Sequence, residues 1–193
     1  MPLSRNCKDL IPPFQEIVRK WLTRCIEEDI SVTIYCTLRT NDEQAALYAQ
    51  GREDITQVNK LRRFANLPAI GDRENSRKVT DSPSGYSWHN YGCAIDFFPL
   101  DLQTGRPDWN CNLLDPDDHY YEAVRIMVKE VDPYVIWGGS FLHFKDYGHF
   151  EYHPGLTITE AREIKSLGGK EGKGDTNNDA IARRIVAFTT AVC

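Results

Sequence analysis

The sequence has 193 residues, 41% hydrophobic and 26% charged, which suits one domain with its own core plus extensions and argues against disorder. The formal net charge of -5 excludes a dedicated binder of nucleic acid or anionic membrane, which needs a concentrated basic face. No stretch approaches the roughly 20 apolar residues that span a bilayer, so neither a transmembrane helix nor stable membrane insertion is expected.

The first residues, Met1-Pro2-Leu3-Ser4-Arg5-Asn6, lack the apolar run and small-residue cleavage site of a secretory signal, so synthesis in the cytoplasm is expected. Phe14, Ile17, Val18, Trp21, Leu22, Cys25 and Ile26 recur at three- and four-residue steps. That spacing predicts an amphipathic helix over 11–28 with Pro12 and Pro13 at its start. Residues 31–38 are rich in β-branched and aromatic side chains and predict a strand. Asn41-Asp42 reads as a helix start, with the helix over 43–50 and a stop at Gly51. Residues 52–78 are polar and basic with weak periodicity; they read as an excursion with a short helix over 58–65.

Residues 93–100 are apolar around a single aspartate and predict a buried strand. Tyr120, Ala123, Val124, Met127 and Val128 mark one face of a helix over 119–131. Residues 134–137 form a short apolar run and 149–152 a further strand. A short helix is predicted over 159–167, with Thr157 or Thr159 as cap. Residues 168–178 are Gly-rich and linker-like, and 180–192 predict a last helix that folds back onto the core. The expected organisation is therefore a domain over 1–167, interrupted by the 52–78 excursion, and a tail over 168–193. The six cysteines, Cys7, Cys25, Cys36, Cys93, Cys111 and Cys193, show no Cys-x-x-Cys pair or zinc-ribbon spacing and are expected as free thiols.

Two segments carry chemistry. In Ser87-Trp88-His89-Asn90-Tyr91-Gly92-Cys93-Ala94-Ile95-Asp96 an aspartate sits among apolar neighbours, a costly position unless its charge is compensated. An arginine partner would do this, with His89 capping a loop; so would a metal ion shared with His89. Seven residues separate the pair, an odd number, so a flat strand would not put them on one face; Gly92 allows a turn that re-aims His89. In Asp146-Tyr147-Gly148-His149-Phe150-Glu151-Tyr152-His153, a strand starting at His149 points His149, Glu151 and His153 to one side. Two ligand sets compete: His149 with His89 and Asp96, or the local pair His149 and His153. The first is favoured, because a His/Asp/His set suits Zn²⁺ and leaves a fourth position for water. Glu151 then fixes a ligand's orientation.

Together, Ser87-x-His89-x-x-Gly92-x-Ala94-x-Asp96 and the downstream Asp146-x-x-His149 resemble the zinc D-Ala-D-Ala carboxypeptidase / L-alanyl-D-glutamate endopeptidase family, the VanY and phage-endolysin group of M15 peptidases. Leu38-Arg39-Thr40 with Gln44, Leu47-Tyr48 and Gly51-Arg52 is similar to the family's Tyr-Arg-Ser block, and Trp137-Gly138-Gly139 to its approach to the second histidine. The sequence departs from the family at Leu38 and Thr40, at Gly148 where a proline is common, in the length of 53–77 and in the Gly-rich tail.

The resemblance implies an α+β fold, Hedgehog/DD-peptidase-like, with helices packed on a small, largely antiparallel sheet. It implies His89, Asp96 and His149 as zinc ligands and Asp146 as the base that takes a proton from water. Arg39 would stabilise the oxyanion or hold a substrate carboxylate, and Ser87 would hydrogen-bond the substrate or the ligand loop. Gln44, Tyr91 and Trp137 are expected as pocket walls. The implied substrate is a peptidoglycan stem peptide, expected to be cut between L-Ala and D-Glu by a monomeric endolysin-type enzyme that reaches the wall after release from the cytoplasm; the alternatives are a D-Ala-D-Ala carboxypeptidase or dipeptidase, or a zinc-retaining binding module without activity.

Overall fold

The computed structural model describes residues 3–101, 103–108, 118–167 and 177–192. Cys111, Cys193 and residues 168–176 of the expected linker lie outside them.

Helix α1 (Pro12–Glu27) follows its periodicity, with the two prolines in its first turn. It buries Phe14, Ile17, Val18, Trp21 and Cys25. Ile26 does not belong to that stripe: it is 73% exposed. Strand β1 (Val32–Cys36) follows, and then α2 (Asn41–Ala49). Thr40 caps α2: its hydroxyl accepts from the Glu43 N–H, and the Glu43 carboxylate accepts from the Thr40 N–H. Gly51, in the left-handed region at φ 75°, turns the chain away after α2.

The 52–78 stretch is folded. Helix α3 (Ile55–Phe64) starts at Asp54, whose carboxylate accepts from the N–H groups of Thr56 and Gln57. It packs on α2 through a small cluster of Ala46, Ala65 and Leu67. A single-turn α4 (Asp72–Asn75), absent from the sequence expectation, ends the excursion.

Strand β2 (Ala94–Pro99) is the buried strand expected around Asp96. Helix α5 (His119–Arg125), capped by the Asp118 carboxylate, runs on as a π-helical turn over Ile126–Val131. The predicted helix thus loses its α register at Ile126. Strand β3 (Ile136–Trp137), strand β4 (His149–Glu151), α6 (Ile158–Leu167) and α7 (Asn177–Val192) complete the chain. Among the described residues the architecture is α+β: seven α-helices and a four-stranded antiparallel sheet in the order β1-β2-β4-β3.

The strand period of two divides this sheet into a core face and a site face. Ile95, Phe97 and Phe150 point into the core, where Trp21 of α1 meets the rings of Phe97 and Phe150 edge-on at 5.0 and 5.4 Å. The Trp21 indole N–H donates to the Ala123 carbonyl at 2.8 Å, so its polar atom is satisfied in the core. Cys36, Asp96 and His149 lie in one row across the sheet, because β2 pairs Asp96 with Cys36 on one side and with His149 on the other. Gly148 meets this sheet closely: its carbonyl accepts from the Phe97 N–H at 2.7 Å, and a Cβ there would run into the Phe97 carbonyl oxygen. That contact favours a residue without a Cβ at this position.

Ile181, Ala182 and Ile185 of α7 are buried in the main core. The last helix therefore covers α1 and α6, as the fold-back expectation had it. Cys7, Cys25, Cys36 and Cys93 are free thiols. No helix among the described residues is long and apolar enough to cross a membrane.

Candidate metal centre

Cross-strand pairing brings the second motif to the first. Paired residues in adjacent strands hold their side chains side by side on one face, so Asp96 and His149 meet although 53 positions separate them. His89 arrives differently. It sits in a 3₁₀ turn (Trp88–Tyr91), and Gly92, at φ 66°, reverses the chain before β2 begins at Ala94. This is the turn that the odd spacing of His89 and Asp96 requires. The His89 carbonyl accepts from the Arg39 N–H at 3.0 Å, which ties the turn to the segment after β1.

One carboxylate oxygen is the meeting point. Asp96 Oδ1 lies 3.1 Å from His89 Nε2 and 2.8 Å from His149 Nδ1. The outer nitrogens face acceptors: His89 Nδ1 donates to the Thr37 carbonyl at 2.6 Å, and His149 Nε2 to Glu151 Oε2 at 3.2 Å. With its proton fixed outward, His89 presents the lone pair of Nε2 to this point, and His149 would present that of Nδ1 once the proton it shares with Asp96 is displaced. Two inward nitrogens and a carboxylate oxygen, with carbonyl and carboxylate partners behind the imidazoles, are the donor set a divalent zinc ion takes.

The second oxygen of Asp96 is held by Arg39, whose Nη2 donates to Oδ2. The same guanidinium donates through Nε to Cys36 Sγ at 3.1 Å and through Nη1 to Gln44 Oε1 at 3.4 Å. The sequence left an arginine partner and a metal role for Asp96 as alternatives; the structure has the arginine on one oxygen and both histidines on the other.

The electrostatics follow from burial and these neighbours. Burial alone would raise the Asp96 carboxyl, but the electrostatic pull of His89 and Arg39 and the bond to His149 hold it well below the usual carboxylate range. Burial, then Arg39, pushes His89 down to about 4, so it is a neutral imidazole at pH 7. Burial also opposes charge on His149, yet its bonds to Asp96 and Glu151 outweigh this and lift it to about 10. A cation bound by the same three side chains would displace the proton that Nδ1 shares with Asp96. Glu151, despite burial, is lowered to about 2 by the two histidines it bonds. Asp146 goes the other way: burial, and then the Asp96 charge, raise its carboxyl above the ordinary value.

A cleft of about 480 Å³ opens over this point, and His89, Asp96, His149, Arg39, Ser87 and Asp146 all line it. Ligand-capable atoms of Asp96, Asp146 and His149 lie within 4.8 Å of one another, as do those of Cys36, His89 and Asp96. Cys36 and the Thr37 carbonyl were not singled out from the sequence. A buried cysteine has no diagnostic spacing, and a backbone carbonyl has no side-chain signal.

Three residues expected as pocket walls lie elsewhere. Gln44 is buried beneath the cleft, bonding Arg39 and the Ser82 carbonyl. The Tyr91 ring is in the core, with its hydroxyl donating to the Gly85 carbonyl at 2.7 Å. The Trp137 indole N–H donates to the Tyr147 carbonyl at 2.9 Å, bracing the turn before β4. His153 turns to Glu151 and the Leu156 carbonyl and does not approach Asp96.

The sequence profile of a D-alanyl-D-alanine carboxypeptidase family (VanY) matches residues 9–114, and a second profile of the same description matches residues 80–152. The peptidoglycan L-alanyl-D-glutamate endopeptidase CwlK of Bacillus subtilis (strain 168) is 27% identical over 146 residues, covering 76% of this chain and 75% of that protein. With the first match spanning more than half the chain and a buried His/Asp centre at the meeting point of both, the chain belongs to the D-alanyl-D-alanine carboxypeptidase family of zinc metallopeptidases, whose substrates are the peptides of peptidoglycan.

Proposed function

We propose that the protein is an L-alanyl-D-glutamate endopeptidase acting on peptidoglycan stem peptides, with His89, Asp96 and His149 as zinc ligands and Asp146 as general base. The observation that carries this reading is the convergence of His89 Nε2 and His149 Nδ1 on Asp96 Oδ1 at the floor of the cleft. The similarity to CwlK supports the choice of bond.

Zinc in that position would polarise the scissile carbonyl and lower the pKa of water at the site to about 7. The chain's own residues do the rest. An Asp146 carboxylate oxygen accepts a proton from the attacking water and delivers it to the departing amine nitrogen as the C–N bond breaks. Its raised carboxyl suits that task, because a base of higher pKa takes the proton more readily. The Arg39 guanidinium, positioned by Asp96, Cys36 and Gln44, offers its charge to the oxygen on which negative charge develops. The Ser87 hydroxyl, also on the cleft wall, orients the peptide or the ligand turn. The site of action in this reading is the bacterial wall, reached by release from the cytoplasm as a phage endolysin.

Mass spectrometry of digested peptidoglycan tests the assignment. Endopeptidase action yields fragments with a new amino-terminal D-Glu. Release of free D-Ala would contradict it and assign the chain to trimming of the terminal D-Ala-D-Ala. No product from zinc-loaded protein on walls of several compositions would leave a zinc-retaining binding module. The endolysin setting has its own test: protein made alone in a host cytoplasm leaves cells intact, whereas added to exposed walls it clears them.

A further inference from the structure

His153 is not in the ligand set proposed above, but its surroundings connect it to both ligand histidines. Glu151 offers one oxygen to each of two imidazoles: Oε2 faces His149 Nε2 at 3.2 Å and Oε1 faces His153 Nε2 at 3.0 Å. A carboxylate accepts only, so both rings donate. His153 Nδ1 faces a second acceptor, the Leu156 carbonyl, at 3.2 Å. A single N–H on this ring is held by Glu151, so a ring that turned would lose that bond. Trp88 lies flat on it, with ring centroids 3.8 Å apart and planes 8° from parallel. Trp88 is the residue immediately before His89, in the same 3₁₀ turn. Side-chain contacts thus run from His149 through Glu151 and His153 to Trp88, and the backbone closes the ring at His89.

We infer that His153, clamped between Glu151 and Trp88, is a positioning residue that fixes the His149 imidazole for metal binding and ties it to the turn carrying His89. The inference rests on the metal-centre reading above. The reason is geometric. With Oε1 anchored on His153, Glu151 cannot rotate away, and its other oxygen keeps the His149 Nε2–H pointing outward and Nδ1 inward. Neither β4 alone nor the 3₁₀ turn alone fixes the separation of the two imidazoles; the stacked pair braces one against the other. Loss of a group that orients a metal ligand costs about 10–100-fold in metal affinity. His153 acts one contact further out, so about tenfold is expected.

Zinc release from the full chain into excess chelator tests this, after zinc content has been measured on the unaltered protein. One zinc per chain is required; if the unaltered protein holds none, the metal-centre reading falls and this inference with it. With zinc present, His153→Ala and Trp88→Ala should each release it about tenfold faster. The double variant should be no faster than the single ones, because they break one brace. His153→Gln, which keeps an N–H for Glu151, should fall between His153→Ala and the unaltered protein. Excess zinc should restore turnover to His153→Ala but not to Asp146→Ala. Release at the unaltered rate from His153→Ala, with only the melting temperature lowered, would make His153 a packing residue. Single-variant effects that multiply in the double variant would show two independent contacts. Either result overturns the inference and leaves the metal centre standing.

Discussion

One oxygen of Asp96 faces His89 Nε2 and accepts from His149 Nδ1, and the other accepts from Arg39. A carboxylate so deeply buried is tolerable only with such partners. Its presence in an apolar run made it legible in the sequence, and the turn at Gly92 was legible from the odd spacing. The pairing with His149 was legible only as one of two options, because cross-strand partners are set by register and not by local spacing. Gln44 and Trp137 stood in the right blocks but face away from the cleft, and nothing in a linear motif distinguishes a wall from a brace. At this scale the division of labour is testable. Asp146→Ala removes the proposed base but no proposed ligand, so the variant should keep zinc while its turnover falls by about 10²–10⁴. Cleavage at the unaltered rate in a quantitative peptide-release assay would remove Asp146 from the mechanism.

Secondary-structure elements set the distances within the site. Thr40, the residue after Arg39, caps helix α2, and this cap fixes where the arginine emerges. Thr40→Ala should cost about 1 kcal/mol in urea denaturation, the ordinary loss for an N-cap hydroxyl. A cost near zero would show that the capping box contributes nothing. Gly148 lets β4 lie against β2, and Gly148→Ala forces a Cβ toward the Phe97 carbonyl. The expected penalty is about 1–3 kcal/mol, as for other overpacked positions, with loss of zinc because His149 is the next residue. An unshifted unfolding midpoint would contradict the close approach. Helix α1 was legible from its periodicity except at Ile26, which extends the apolar run past the buried stripe. The π-turn after α5, where Ile126 and Met127 are buried, had no sequence signal, since packing and not propensity sets it; the single turn of α4 is too short to show a periodicity.

Across the whole molecule, the proposed metal centre joins segments that are far apart in sequence. His89 precedes β2, Asp96 lies within it, and His149 opens β4. A ligand that binds only the folded chain stabilises it by mass action, about 2.7 kcal/mol at a hundredfold excess over its dissociation constant. For a chain of this size that corresponds to roughly 5–10 °C. Calorimetry with zinc and with chelator should show a difference of that order, and coincident transitions would mean that the ion does not hold the fold. Most helices were legible because their periodicity is local, and the α+β class because the motifs resemble those of a known family. The path by which 52–78 packs on α2 was not, because those contacts are long-range.

Metal analysis of the purified protein beside its His89→Ala and His149→Ala variants tests the central claim most directly. One zinc per chain, lost from both variants while each keeps its folded circular-dichroism spectrum, is the predicted result. Full zinc content in either folded variant would mean that these two imidazoles do not share an ion.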